Sequence, residues 1–65
     1  MTGKELAAMR AKAGLTQEAL ARKMKLMSGG VLISRWETGL TAISGAMAEL
    51  AERVCEETVK EAQTT

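Results

Sequence analysis

Signals that end one helix and start the next lie close together early in the chain, and this spacing restricts the possible folds most. Thr2 and Glu5 have the Thr-x-x-Glu spacing of a capping box, which predicts a helix over about residues 3–13. Gly14 can adopt the left-handed conformation that ends many helices, and Thr16 can cap the next helix. Only two or three residues then separate the two helices, so the chain must turn a sharp corner between them.

Apolar residues at helical spacing predict further helices along the rest of the chain. We expect a second helix over about residues 17–25, a third over about residues 30–38 and a C-terminal helix over about residues 44–62. The β-branched and aromatic residues that favour strands are sparse. The sequence therefore predicts an all-α fold of four to five short helices around one small core, with Trp36 as its only aromatic residue.

Length and residue types exclude several classes of protein. The 65 residues have room for a single domain, over residues 1–65, and a domain of this size buries only about 60% of the surface that its unfolded chain exposes. The chain has no His and one Cys, which excludes a zinc finger, a His-based catalytic triad and a disulfide framework within one chain. We expect no cofactor and no metal, and we predict that the protein is not an enzyme.

The same counts bear on where the protein is found. No apolar run approaches the roughly 18 residues that a membrane span needs, and the N-terminus lacks the pattern of a secretory signal. A lone free Cys suits a reducing compartment. We therefore expect a cytoplasmic protein that does not associate with a membrane.

Charge is distributed unevenly although the chain as a whole carries only +1. Residues 1–36 hold seven basic and two acidic side chains, a balance of +5, whereas residues 37–65 hold two basic and six acidic side chains, a balance of −4. A basic half can face a polyanion such as a nucleic acid, and an acidic half can face solvent or a protein partner. Two solvated helix surfaces that merely differ in charge are the simpler alternative.

Two motifs make the chain resemble a known family. Gly14-Leu-Thr-Gln17 is followed by Leu20-Ala21, and a second motif, Ile33-Ser-Arg-Trp-Glu-Thr-Gly39, comes later. Together they resemble the lambda-repressor/Cro-like helix-turn-helix family over about residues 4–54. The resemblance implies a DNA-binding bundle in which helices 2 and 3 form the helix-turn-helix, at about residues 16–39. It also implies an ion pair between Arg10 and Glu37.

The third helix is the expected reader of DNA. Ile33 and Trp36 share a face and should anchor this helix in the core, which leaves its opposite face free for the major groove. Arg35 is the residue best suited to bidentate contact with guanine. The candidate base-reading residues are Ser28, Gly30, Val31, Leu32, Ser34 and Arg35. The candidate phosphate contacts are Thr16, Gln17, Arg22, Lys23 and Lys25, with Lys12 as a further basic residue.

The stretch between helices 2 and 3 departs from the family pattern. Lys25 stands where the family usually has Gly, and about two extra residues precede Ile33, so either the turn is longer or helix 3 starts late. Val31 and Leu32 can contact a thymine methyl but cannot hydrogen-bond to bases. Either the chain reads DNA in a modified way, or Val31, Leu32 and Leu40 form an exposed apolar patch that binds protein. One of Val31 and Leu32 turning inward is the simpler alternative.

The function indicated most strongly is a sequence-specific DNA-binding regulator, of the small phage- or prophage-repressor type. Such a domain gains affinity as a homodimer on a palindromic operator. The candidate dimer residues lie on the C-terminal helix and are Val54, Cys55, Val59 and Ala62. The alternative is a helix-turn-helix-shaped interaction module, antirepressor-like or antitoxin-like, that binds another protein. We expect the affinity for DNA, unlike that for an apolar protein interface, to fall steeply with salt.

Overall fold

The computed structural model describes residues 1–63, and these form four helices with no strand among them. The helices are α1 (Gly3–Lys12), α2 (Gln17–Lys23), α3 (Gly30–Thr38) and α4 (Gly45–Gln63). The predicted all-α class is confirmed, with four helices rather than five. The first two helices end slightly before their predicted ends, because Ala13 and Met24 form C-caps. None of the described helices is both long and apolar enough to cross a membrane.

Polar side chains start three of the helices as the sequence predicts. The Thr2 hydroxyl accepts a hydrogen bond from the Glu5 backbone N–H at 3.1 Å, and the Glu5 carboxylate accepts one from the Thr2 N–H at 2.9 Å. This is a complete capping box. The side chains of Thr16 and Ser44 each accept a hydrogen bond from the backbone N–H three residues later, at 3.0 and 3.2 Å. These bonds satisfy N–H groups that have no partner within the helix.

Helix α1 ends in a left-handed residue, and glycine supplies it. Gly14 has a φ of +72°. Its N–H donates to the Ala11 carbonyl at 3.0 Å, and the Leu15 N–H donates to the Arg10 carbonyl at 3.1 Å. This pair of bonds is the Schellman motif, which satisfies the last carbonyls of a helix and fixes the direction in which the chain leaves. The motif sets the corner before α2.

Helix α2 ends in the same way, although a lysine occupies the left-handed position. Lys25 has a φ of +61°. Its N–H donates to the Arg22 carbonyl at 3.1 Å, and the Leu26 N–H donates to the Ala21 carbonyl at 2.9 Å. Leu26 then packs against the core, which is the apolar contact that often accompanies this motif. The departure noted in the sequence changes the residue type at this position but not the backbone conformation.

The extra residues before Ile33 lengthen the turn and do not delay α3. Residues 24–29 connect α2 to α3, and α3 begins at Gly30 as expected. Gly29 caps α3 with a φ of +66° and, having no side chain, makes no capping hydrogen bond. Met27 is fully exposed in this turn.

One small core holds the four helices together. Ile33 and Trp36 are 0% and 5% exposed, so α3 is anchored in the interior as predicted. Burying one such side chain contributes roughly 1.5–3 kcal/mol. All residues of the core are at most 5% exposed, and they are Leu6, Leu20, Ala21, Met24, Ile33, Trp36, Ala51 and Cys55.

The start of α1 packs directly on the end of α3. A Cβ atom at Gly3 would lie 2.5 Å from the carbonyl oxygens of both Trp36 and Glu37. No side chain fits at that distance, so glycine is required for this close approach. The positive end of the α1 dipole meets the negative end of the α3 dipole here, which is a favourable arrangement.

Candidate nucleic-acid interface

Helix α3 presents one buried and one exposed side. Ile33 and Trp36 are buried, whereas Val31 is 58% exposed and Arg35 is also exposed. Val31 and Arg35 are four residues apart and therefore lie on the same side of the helix. The outward side of α3 thus carries one apolar and one cationic side chain.

The exposed side of α3 forms one wall of an open groove, and the first turn of α2 forms the other. We call this the α2–α3 groove, and its lining residues are Gln17, Glu18, Gly30, Val31, Ser34 and Arg35. It brings together four of the six predicted base-reading residues and one of the predicted phosphate contacts. Glu18 is a residue that the sequence analysis did not include.

Gly30 lies in the groove wall, and its surroundings give it a packing role that the base-reading prediction did not include. A Cβ atom there would lie 3.0 Å from the backbone nitrogen of Glu18 and 3.3 Å from the carbonyl carbon of Gln17. Glycine therefore allows the start of α3 to approach the start of α2. Gly30 has a packing role and offers no side chain to DNA.

Leu32 and Ser28 also differ from the base-reading prediction. Leu32 is only half-exposed and packs against the core, so it is the member of the Val31 and Leu32 pair that turns inward. Ser28 is exposed in the turn before α3 and does not line the α2–α3 groove. Ser34 is half-buried in the groove wall. The outward side of α3 is therefore narrower than the sequence predicted.

An ion pair joins α1 to α3 beside this groove. The Arg10 Nε atom lies 2.6 Å from Glu37 Oε2, and Nη2 lies 3.1 Å from Oε1, so the contact is bidentate. The side chains are 21% and 9% exposed. Arg10 Nη1 also donates to the Leu15 carbonyl at 2.9 Å, which ties the corner after α1 to the same cluster. The ion pair that the resemblance implied is present, and it also holds the turn before α2.

Gln17 completes the cluster from α2. Its Nε2 donates to Glu37 Oε1 at 3.1 Å, so one carboxylate connects three helices. The hydrogen bonds from Arg10 lower the pKa of Glu37, and the bond from Gln17 lowers it further. The hydrogen bond to Glu37 raises the pKa of Arg10. The pair is therefore charged at neutral pH. The sequence predicted Gln17 only as a phosphate contact, because its bond to Glu37 joins residues 20 positions apart and leaves no local signal.

The basic residues expected to contact phosphate differ in their surroundings. Arg22 and Glu18 form an exposed pair at 3.5 Å. Lys25 is exposed in the turn after α2. Lys23 borders a small groove against α4, close to the acidic Glu57. Arg22, Lys23 and Lys25 are all exposed, and Lys23 shares its groove with the acidic residues Glu57 and Glu61.

Residues proposed for a dimer surface on α4 divide into buried and exposed groups. Cys55, one of the predicted dimer residues, is 2% exposed and belongs to the core, so it offers little surface to a second copy of the chain. Its burial raises the pKa of the thiol. Val54 and Val59 are both half-buried, Val54 packs against the core, and Ala62 is exposed.

Comparison with known proteins identifies a family. A family model described as helix-turn-helix matches residues 6–61, which include both sequence motifs and nearly all of the four helices. No curated protein and no solved structure gives a significant match to the chain.

Proposed function

Since the chain belongs to the lambda-repressor/Cro-like helix-turn-helix family of DNA-binding regulators, we propose that it is a sequence-specific repressor of the phage or prophage type. In this proposal it binds a palindromic operator as a homodimer. Helix α3 enters the major groove, and the basic residues of the first half of the chain meet the flanking phosphates.

The observation that carries the proposal is the orientation of α3. Ile33 and Trp36 attach the helix to the core, and Arg35 is exposed and lines the α2–α3 groove. A helix with side chains is about 10–12 Å across, close to the roughly 12 Å width of the DNA major groove. Arginine offers a planar fork of donors that matches the O6 and N7 atoms of guanine.

Affinity for one half-site would be low, because Arg35 is the one basic residue among those that line the α2–α3 groove. Arg22, in the last turn of α2, and Lys25, in the turn after it, are exposed and are the phosphate contacts that this proposal favours. A homodimer doubles these contacts and places two copies of α3 about 34–36 Å apart, one turn of DNA. Val59 and Ala62 are the remaining candidates for the surface that joins the two copies.

Selection from random duplexes tests the proposal. We expect an enriched palindrome whose affinity falls with salt between about 50 and 200 mM, because several phosphate contacts release counterions. Arg35→Ala should reduce the preference for one base pair in each half-site by about 1–3 kcal/mol. Lys25→Gln should weaken binding to all duplexes alike. Lack of enrichment, or an affinity that ignores salt, would contradict the proposal.

The second candidate is a protein-binding module, and exposed apolar residues favour it. Val31, Leu40 and Met27 are 58%, 77% and 103% exposed. An apolar interface would bind a protein partner with little dependence on salt, in contrast to phosphate contacts. Measuring affinity as a function of salt concentration therefore distinguishes the DNA-binding function from the protein-binding function.

A further inference from the structure

Val31 and Arg35 are the two chemically distinct groups on the outward side of α3. Val31 is 58% exposed and Arg35 is exposed, and both line the α2–α3 groove. They are one helical turn apart, about 6 Å along the axis. Valine offers only methyl groups, whereas arginine offers a fork of N–H donors.

Neighbouring residues on α3 have little capacity to discriminate between bases. Gly30 is occupied in the contact with α2 and has no side chain. Leu32 packs against the core. Ser34 is half-buried, and a serine hydroxyl can pair with donors and acceptors alike, so it distinguishes bases poorly. Thr38 does not line the groove, and its hydroxyl donates to the carbonyl oxygens of Ser34 and Arg35. Discrimination by α3 therefore falls on Val31 and Arg35.

We infer that Val31 and Arg35 read a thymine and a guanine close together in each half of the operator. This inference rests on the proposed function and specifies the DNA that it would recognise. The C5-methyl of thymine is the apolar group that the major groove offers, and the O6 and N7 atoms of guanine match arginine. Because base pairs are about 3.4 Å apart and α3 is inclined to the DNA axis when it lies in the groove, a separation of about 6 Å along α3 places the two bases at most about two base pairs apart.

Burial of the exposed Val31 side chain would drive its contact with the thymine methyl. In the free protein more than half of this side chain faces water beside a cationic group. Docking the methyl groups against a thymine methyl removes apolar surface of both molecules from water. A cytosine at the same position lacks the methyl and exposes an amino donor that valine cannot accept.

Replacing single atoms of the DNA tests the two contacts separately. In the duplex obtained by selection, each thymine is changed in turn to uracil, which lacks only the methyl. We expect the affinity of the full chain to fall about fourfold at one thymine in each half-site, the value for one buried methyl-sized group. With Val31→Ala, the same change should alter the affinity by less than about twofold. Alanine favours helix at this exposed position, so the variant should fold.

A second scan uses 7-deazaguanine, which lacks the N7 acceptor. One guanine in each half-site should show a loss of affinity, and this loss should be absent with Arg35→Ala. The sensitive thymine and guanine should lie within about two base pairs of each other. Leu40→Ala is the matched control, because Leu40 is 77% exposed but does not line the groove. This variant should keep the wild-type sensitivity to uracil.

Three results would overturn the inference while DNA binding itself remained. The first is that uracil leaves the affinity unchanged at every thymine. The second is that uracil at the sensitive thymine lowers the affinity of Val31→Ala as much as that of the wild type. The third is that the sensitive thymine and guanine lie more than about two base pairs apart. If selection enriches no duplex, the proposed function fails and the inference fails with it. Circular dichroism of the variants excludes unfolding as the cause of any loss.

Discussion

At the scale of single residues, one carboxylate organises the region around the proposed interface. Glu37 accepts hydrogen bonds from Arg10 of α1 and from Gln17 of α2 while it belongs to α3. Its side chain is 9% exposed, so water does not readily replace these donors. Bidentate, charge-assisted bonds of this kind are the stronger class of protein hydrogen bond. The orientation of α3 therefore depends on a small polar cluster as well as on Ile33 and Trp36.

Replacing Arg10 tests how much this polar cluster contributes to stability. We expect Arg10→Met to lower the free energy of unfolding by about 1.5–3 kcal/mol, because Glu37 loses its charged partner while remaining largely buried. Arg10→Lys should recover only part of the loss, since lysine cannot form the fork. Urea unfolding measures both. The control is Arg22→Gln, which removes an exposed pair and should cost less than about 1 kcal/mol. Equal effects of Arg10→Met and Arg22→Gln would refute the role of the cluster.

The lowered pKa of Glu37 predicts how stability depends on pH. The folded protein holds this carboxylate ionised to a lower pH than the unfolded chain does, where a glutamate has a pKa of about 4.3. The stabilisation is therefore fully present well above pH 4.3 and is lost as the pH falls through the lowered pKa. Glu37→Gln should be less stable at pH 7 and should lose less on acidification, as measured by urea unfolding at each pH. The pKa of Glu5 is also lowered, by its hydrogen bonds to Thr2. The free energy of unfolding of Glu37→Gln should therefore still fall somewhat as the pH is lowered.

At the scale of elements, the ends of α1 and α2 have the same geometry with different residues. Gly14 and Lys25 both occupy the left-handed position of a Schellman motif. Glycine adopts this conformation without steric cost, whereas a residue with a Cβ atom pays roughly 1–2 kcal/mol. The helix-turn-helix thus carries a strained residue at the end of its first helix.

Lys25→Gly should relieve this strain. We expect an increase of about 0.5–1 kcal/mol in the free energy of unfolding, measured by urea or thermal denaturation. Lys25→Ala removes the charge but keeps the Cβ atom, so it should leave stability nearly unchanged. If both variants stabilised the protein equally, the cause would be the charge and not the backbone. Because both lose the same cation, both should weaken DNA binding to a similar degree in the proposed function.

At the scale of the whole molecule, close backbone approaches decide how the helices pack. Gly3 sits against the end of α3, and Gly30 sits against the start of α2. Each glycine is at a contact between two helices, where a side chain would push them apart. The small core has few residues to absorb such a shift, and a domain of this size has little stability to spare.

Adding one methyl group at Gly3 should therefore be costly. We expect Gly3→Ala to lower the free energy of unfolding by about 1–3 kcal/mol, because α1 must move away from the carbonyls of Trp36 and Glu37. Gly45→Ala is the matched control, since a Cβ atom there meets nothing within 4 Å. That variant should be neutral or stabilising by up to about 1 kcal/mol. Thermal denaturation followed by circular dichroism compares the two. A stable Gly3→Ala protein would contradict the described packing.

Local signals were sufficient to predict the helices and the anchoring of α3. Caps at Thr2, Thr16 and Ser44 act on the backbone only three residues away, so their effect is visible in a short window of sequence. The spacing of Ile33 and Trp36 likewise predicted which side of α3 is buried, because helical periodicity is itself a local property.

Contacts between distant parts of the chain needed the folded structure. The sequence alone could not show that Leu32 turns inward while Val31 stays exposed, that Gln17 bonds to Glu37, or that Cys55 is buried in the core. Periodicity defines a helix's faces but not the angle at which neighbouring helices cover them. That angle depends on the close approaches at Gly3 and Gly30. At each of these glycines, backbone atoms of another helix lie so close that a side chain has no room.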